Sequence, residues 1–249
     1  MNSNEDCLIG ERAAEFLRSL AADLVRRSTV DEGLLPFAER LTNVDCSFAS
    51  RECTEQFKHP SMSLLDPALE IASGDPDVLM AARRIAQGLH WYQIYPDGEA
   101  DTALAEGLLA AQIVGNVGLF ASSQIRCGLF LIAPGIHYPL HTHRASEAYY
   151  CLSGELEISH GIKTPSFWLG PGGHSITPSN RLHSLTTHRD PALLVYIWIG
   201  DVNSPNWWWE RQADGGWLRT QWVRRPDGPW VRTVTEPVTA KVMHEATRS

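Results

Sequence analysis

The sequence predicts a mainly β chain in which several α-helices precede a sandwich or barrel of short antiparallel strands. Three observations predict it. Apolar residues recur at helical spacing near the N-terminus, segments after Ser122 become short and alternating or β-branched between glycines and prolines, and the C-terminal part interleaves tryptophans with Asp-Gly pairs. The division expected is a helical region at residues 1–121 packed on the barrel, the barrel at 122–235, and a C-terminal tail at 236–249.

Taken in order, LIGERAAEFLRSLAADLVRRS places Leu8, Ala13, Phe16, Leu17, Leu20 and Leu24 on one helical face, with charges on the other. The stretch from about residue 42 to 74 is loop-rich and predicts no regular element. Asp75-Pro76 reads as an N-cap with proline at the first helical position, opening DVLMAARRIAQGLHW. Asp101 reads as the cap of a further helix through TALAEGLLAAQIVG. Beyond it, IRCGLFLIAPG, EAYYCLSGELEISHG, SFWLGPGG, HSITPSN, LHSLTTH and ALLVYIWIGD read as strands and their turns. In the tryptophan-rich end, Asp214-Gly215 and Asp227-Gly228 are turn dipeptides and predict two or three more strands.

Composition bounds the function. The chain has 249 residues, 43% hydrophobic and 20% charged, an ordinary globular balance that permits a packed core. A net charge of −8 without a basic stripe argues against nucleic acid and mildly favours cationic or neutral small molecules. No run approaches the roughly 20 apolar residues that span a bilayer, and no export signal is visible, so no membrane association and a cytoplasmic location are expected. Cys7, Cys46, Cys53, Cys127 and Cys151 form no CxxC pair, which predicts reduced thiols.

The chemistry concentrates in GIHYPLHTHRASEAYYCLSG, residues 135–154. Alternate residues of a strand share a face, so His141 and His143 point the same way; Glu147 and Tyr149 have the same parity, given a bend between 143 and 147. Two imidazoles and a carboxylate suit a borderline divalent metal: zinc, iron, manganese, nickel or cobalt. A fourth ligand is expected from a neighbouring strand, and His183, where a strand begins after a turn, is the best placed. His59, His90, His160, His188 and His244 read as surface or capping residues, while His137 and His174 stay open and default to the same role.

Gly135, five residues, His141-x-His143, three residues, Glu147, six residues and Gly154 resemble the first cupin motif without a gap. Gly172, five residues, Pro178-x-Asn180, two residues and His183 resemble the second, with Asn180 in place of a glycine and Thr187 in place of the final asparagine. The resemblance implies a cupin fold, a double-stranded β-helix or jelly-roll barrel, and a bound metal. Cupins host many activities, and the tyrosines narrow the choice. Tyr138-Pro-x-His-x-His-x3-Glu-x-Tyr149, followed by LSG and VYIWIGD, looks like the bacterial cupin-type dimethylsulfoniopropionate (DMSP) lyases, and the long helical start and Trp-rich end suggest the DddL/DddQ branch.

That resemblance implies His141, His143, Glu147 and His183 as metal ligands, Tyr149 as the general base, Tyr138 as a second active-site phenol, and Trp198 as a pocket aromatic. DMSP carries a sulfonium two carbons from its carboxylate, so β-elimination needs a Lewis acid and a base but no general acid, because dimethyl sulfide leaves neutral. A free phenol has a pKa near ~10, too high for a base at neutral pH, and a nearby divalent cation would lower it. Aromatic faces at Tyr138 and Trp198 suit the sulfonium. Plain packing at the barrel rim is the alternative for the phenols, and core packing is the reading for the other tryptophans. The expected partner is a small sulfonium carboxylate, and a homodimer is left open. The rival functions are an iron dioxygenase with the same ligand set and a non-enzymatic cupin that binds a small acid.

Overall fold

The computed structural model describes residues 3–47 and 57–248, with side chains from residue 8 onward. Cys53 lies outside the described residues, as does the Cys7 side chain. The first helix, α1 (Ser3–Arg27), buries Ala13, Phe16, Leu17, Leu20 and Leu24, as their spacing predicts. Leu8 is exposed instead, and Ile9 takes its place in the buried stripe. Helices α2 (Leu35–Thr42) and α3 (Leu65–Glu70) follow, the latter within the stretch that had predicted no element. In α4 (Pro76–Ile85) the Asp75 side chain accepts the backbone N–H groups of Asp77 and Val78, so the predicted cap and N1 proline are in place.

The next segment departs from expectation. After β1 (Trp91–Gln93), the helix capped by Asp101 is only α5 (Thr102–Gly107), and LLAAQIV forms a strand, β2 (Leu108–Val114). Leucine and alanine favour a helix locally, but β2 is buried along its whole length between β1 and β3 (Ile125–Ile132), and that pairing outweighs propensity. The sheet therefore starts ahead of residue 122.

The strands continue as β4 (His137–Thr142), β5 (Ala145–Ser153), β6 (Leu156–Ser159), β7 (Phe167–Leu169), β8 (His174–Thr177), β9 (His183–Thr187) and β10 (Ala192–Gly200). The tryptophan-rich end adds three, β11 (Asn206–Arg211), β12 (Trp217–Arg224) and β13 (Trp230–Pro237), and the expected tail contains a helix, α6 (Ala240–Thr247). One sheet has the order β1-β2-β3-β10-β5-β8 and the other β13-β12-β11-β4-β9-β6-β7. This is the mainly β barrel behind N-terminal helices that the sequence predicts.

Strand parity sorts the core into two. Odd residues of β3 and β10, among them Cys127, Leu129, Leu131, Val195 and Ile197, pack with the helices on the outside of the first sheet. Their alternates, Phe130, Leu194, Tyr196 and Trp198, face the barrel interior. A sheet covered on both faces needs apolar residues at nearly every position, which is why ALLVYIWIG reads as one continuous run. No described helix is long and apolar enough to cross a membrane.

Candidate active site

The two sheets meet at the motif. β4 belongs to the second sheet and β5 to the first, so the chain crosses between sheets at residues 143–144. That crossing supplies the bend that brings Glu147 back toward the histidines. His141 lies directly opposite His183 in the β4–β9 pairing. Asn180 holds a left-handed φ of 62° in the turn before β9, a conformation asparagine tolerates better than other side-chain-bearing residues. It can therefore replace the motif's glycine, and its N–H donates to the His143 carbonyl at 2.8 Å, tying the two motifs together.

The imidazole Nδ1 atoms have carbonyl partners: Pro139 for His141 at 2.7 Å, Ala145 for His143 at 2.9 Å, and Arg181 for His183 at 2.9 Å. A carbonyl only accepts, so each Nδ1 carries the proton and each neutral ring turns the Nε2 lone pair inward. The nitrogens of these three buried rings lie within 4.8 Å of one another. Glu147 Oε2 stands 3.2 Å from His143 Nε2 and 3.4 Å from His183 Nε2. His183 Nε2 is buried without a hydrogen-bond partner.

Lone pairs facing a carboxylate need a positive charge between them, either second protons or a metal ion. Burial, together with the neighbouring imidazoles, lowers His141, and burial also lowers His183, so second protons are disfavoured. Burial would raise Glu147, but its contacts with His143 and His183 outweigh that and keep the carboxyl below the usual carboxylate range. A donor set of imidazoles with an ionised carboxylate fits a divalent cation, and the triad could hold one.

Tyr138, His141, Glu147, Tyr149 and Trp198 line one cavity, and Glu147 links it to His143 and His183. Water centres fit over about 50 Å³ of it, room for only a few waters and hence for a small ligand. Tyr149 is buried, and burial followed by the Glu147 charge pushes its phenol well above the ordinary range. Tyr150 has the opposite parity and turns to the helices, where Arg27 donates to its oxygen at 3.2 Å. It takes no part in the cavity.

Tyr138 stacks on the His141 ring, with centroids 4.2 Å apart. Its hydroxyl hydrogen-bonds to that of Tyr95. Asn206 Nδ2 donates to both phenols, at 2.8 Å to Tyr138 and 3.1 Å to Tyr95. Trp198 does two things at once: its indole N–H donates to Glu147 Oε1 at 2.6 Å, and its ring stacks on His143 at 4.1 Å. One indole face is thus already covered.

Outside the set, His59 caps a short 3-10 turn by accepting from Ser61 N–H, and exposed His188 pairs with Glu157. His137 bonds Thr186 and His174 bonds Asp31, both away from the cavity. Sequence reasoning missed Tyr95, Asn206, Arg126, Tyr196 and Arg224, all of which reach the cavity or its phenol network. Arg126 could have been flagged, since it is a single cation inside the apolar strand IRCGLFLI. Tyr95, Asn206 and Arg224 sit in or beside turns and carry no such signal.

Residues 37–194 match the profile of the dimethylsulfoniopropionate lyase family. The chain is 30% identical over 128 residues to dimethylsulfoniopropionate lyase DddQ of Ruegeria pomeroyi, a match covering 51% of this chain and 62% of that protein. A relative from Cereibacter sphaeroides that carries the DddL name is 27% identical over 128 residues, 51% of this chain and 52% of its own length. The chain thus spans less than two thirds of either relative. The crystal structure of the Ruegeria pomeroyi DddQ superposes with a TM-score of 0.56 and 23% identity, over 75% of this chain and 94% of that one. That likeness shows a shared cupin fold.

Proposed function

The chain belongs to the dimethylsulfoniopropionate lyase family, and on that premise we propose that it cleaves DMSP by β-elimination to acrylate and dimethyl sulfide. The observation that carries the reading is a buried cluster of three inward-facing imidazoles and Glu147, with Tyr149 beside the carboxylate in one small cavity. His141, His143, Glu147 and His183 are the proposed ligands of one divalent transition metal, drawn from zinc, iron, manganese, nickel and cobalt. Bound there, the metal supplies Lewis acidity that withdraws charge from the substrate carboxylate and favours the phenolate of Tyr149.

The chain's own residues do the rest. Tyr149 is the proposed base and takes the proton from the carbon next to the carboxylate onto its phenolate oxygen. The electron pair left behind forms the double bond of acrylate, the C–S bond breaks, and dimethyl sulfide leaves neutral. Tyr138, held by Tyr95 and Asn206, is the second phenol and the competing base; its network fixes its oxygen in place. Trp198 and Tyr138 offer aromatic edges and faces to the sulfonium, and Trp198 also anchors Glu147. A cytoplasmic location belongs to the same reading, supported by the unpaired thiols of Cys46, Cys127 and Cys151.

Headspace analysis for dimethyl sulfide, with acrylate measured in solution, tests the reading on metal-loaded protein given DMSP. Both products should form in equal amounts. Their absence, with oxygen consumed on another small acid, would move the chain to the dioxygenase reading.

A further inference from the structure

Two arginines reach the cavity from different sheets, Arg126 from β3 and Arg224 from the end of β12. The pairing registers set Arg126 opposite Trp198 and Trp198 opposite Glu147, so these three form one inward row across β3, β10 and β5. Arg126 is 4% exposed, and its Nη2 donates to the neutral side-chain oxygen of Asn203 at 2.8 Å. Arg224 donates one Nη2 bond, 2.8 Å to the Tyr92 hydroxyl, while its Nε and Nη1 are buried without a partner. Its guanidinium lies 5.4 Å from the Trp230 ring centre and 5.8 Å from that of Tyr92.

No acid answers these charges. Among the described residues, arginine ion pairs are made by Arg26, Arg27, Arg84, Arg144, Arg219 and Arg225, and by neither cavity arginine. Burial and the neighbouring Arg224 bring Arg126 down to about 10, which still leaves it cationic at neutral pH. The buried Arg126 and half-buried Arg224 repel each other, and the buried Nε and Nη1 donors of Arg224 lack acceptors at a cost, so the arrangement points to a missing anion. A planar guanidinium fork matches the two oxygens of a carboxylate.

We propose that Arg126 and Arg224 together form a carboxylate subsite of the cavity, which holds the acid end of the substrate and selects for acids over neutral analogues of the same shape. Naming that acid as DMSP rests on the family reading; the subsite itself does not. A carboxylate has two oxygens, so pairing with arginine and contact with a metal are compatible. The subsite is specific for an anion at one end of a short molecule, and the small cavity leaves room for little else.

Propionate and its neutral isostere propionamide are the probes, titrated calorimetrically into the metal-loaded full chain. The wild type should bind propionate at least about tenfold more tightly, the scale of one charge-assisted hydrogen bond. Arg224→Gln and Arg126→Gln should each reduce that preference about tenfold, and Arg224→Lys should restore part of it. Melting temperatures of the ligand-free variants should stay close to wild type, because neither arginine makes an ion pair that the substitution would break and the loss of its one side-chain hydrogen bond is offset by relief of the repulsion between the two cations. Equal binding of the two probes by the wild type overturns the subsite, as does a preference that survives in both glutamine variants. Lower melting temperatures with an unchanged preference would make the arginines structural, and preferential binding of inorganic phosphate would assign a different anion; either result overturns the proposal. The lyase reading fails separately: no dimethyl sulfide from DMSP, with the arginine-dependent preference intact, removes the reaction and leaves the subsite.

Discussion

Replacing Trp198 by phenylalanine separates two roles that the structure gives one side chain. The indole N–H donates to Glu147 Oε1 at 2.6 Å, and the ring stacks on His143 with centroids 4.1 Å apart and planes 29° from parallel. Phenylalanine keeps a ring against His143 and loses the donor. Glu147 is held ionised, so the lost bond is charge-assisted, and such bonds contribute about 1.5–3 kcal/mol. The freed carboxylate can turn toward other partners, and binding a metal must then undo that rotation. At 1.4 kcal/mol per factor of ten, metal affinity should fall about 10–100-fold, the usual range for losing a hydrogen bond to a metal ligand. The packing change should cost on the order of 1 kcal/mol, or roughly 2–4 °C in melting temperature for a chain of this size. Competition with a chromophoric chelator measures the affinity. Metal binding within twofold of wild type, in a folded Trp198→Phe protein, would refute the anchoring role and leave Trp198 only its aromatic face.

Other outcomes follow from the same geometry. His143→Ala and Glu147→Ala should each lower bound metal well below wild type in elemental analysis of purified protein, and normal content in both would remove the proposed ligand set. Tyr149→Phe keeps the ring in its buried place, so fold and metal content should survive while turnover falls by about 10²-fold or more. Substantial dimethyl sulfide release by Tyr149→Phe beside an inactive Tyr138→Phe would transfer the base to Tyr138. Burial pushes the Cys151 thiol up to about 12 and raises Cys127 as well, so neither forms appreciable thiolate at pH 8. Peptide mapping after alkylation should find both unlabelled in native protein through pH 10 and labelled only after denaturation; rapid native labelling would contradict their burial.

What the sequence could show depended on whether a feature was local. His141, His143 and Glu147 lie within seven residues, so strand parity together with one local bend placed them together, and His183 was reachable because a turn precedes it. The cap at Asp75 and the turns at Gly215 and Gly228 were legible for the same reason: Asp75 accepts nearby N–H groups, and both glycines have positive φ. β2 was not legible, because Leu-Leu-Ala-Ala favours a helix until two neighbouring strands bury it. The Tyr95–Tyr138–Asn206 network joins residues 43 and 68 positions apart, and no periodicity links them. Tyr149 and Tyr150 look alike in sequence, yet parity sends one to the cavity and the other to Arg27.

The cavity is a product of sheet register as much as of the histidine motif. Shifting β10 by one residue against β3 and β5 would turn Trp198 and Tyr196 to the helices and bring Ile197 and Val195 into the cavity. The row beside Arg126, Trp198 and Glu147 sets Gly128 opposite Tyr196 and Tyr196 opposite Tyr149. A Cβ on Gly128 would stand 2.9 Å from the Tyr196 hydroxyl and 2.1 Å from the Ala111 carbonyl oxygen, so that row has space for the phenol only with glycine there. His141 and His183 come from the second sheet and His143 from the crossing between the sheets, while Glu147, Tyr149, Trp198 and Arg126 come from the first. The proposed chemistry therefore requires both sheets in register, which is why a motif confined to one crossing points to three of the four proposed metal ligands yet leaves the arginines that would hold an acid unannounced.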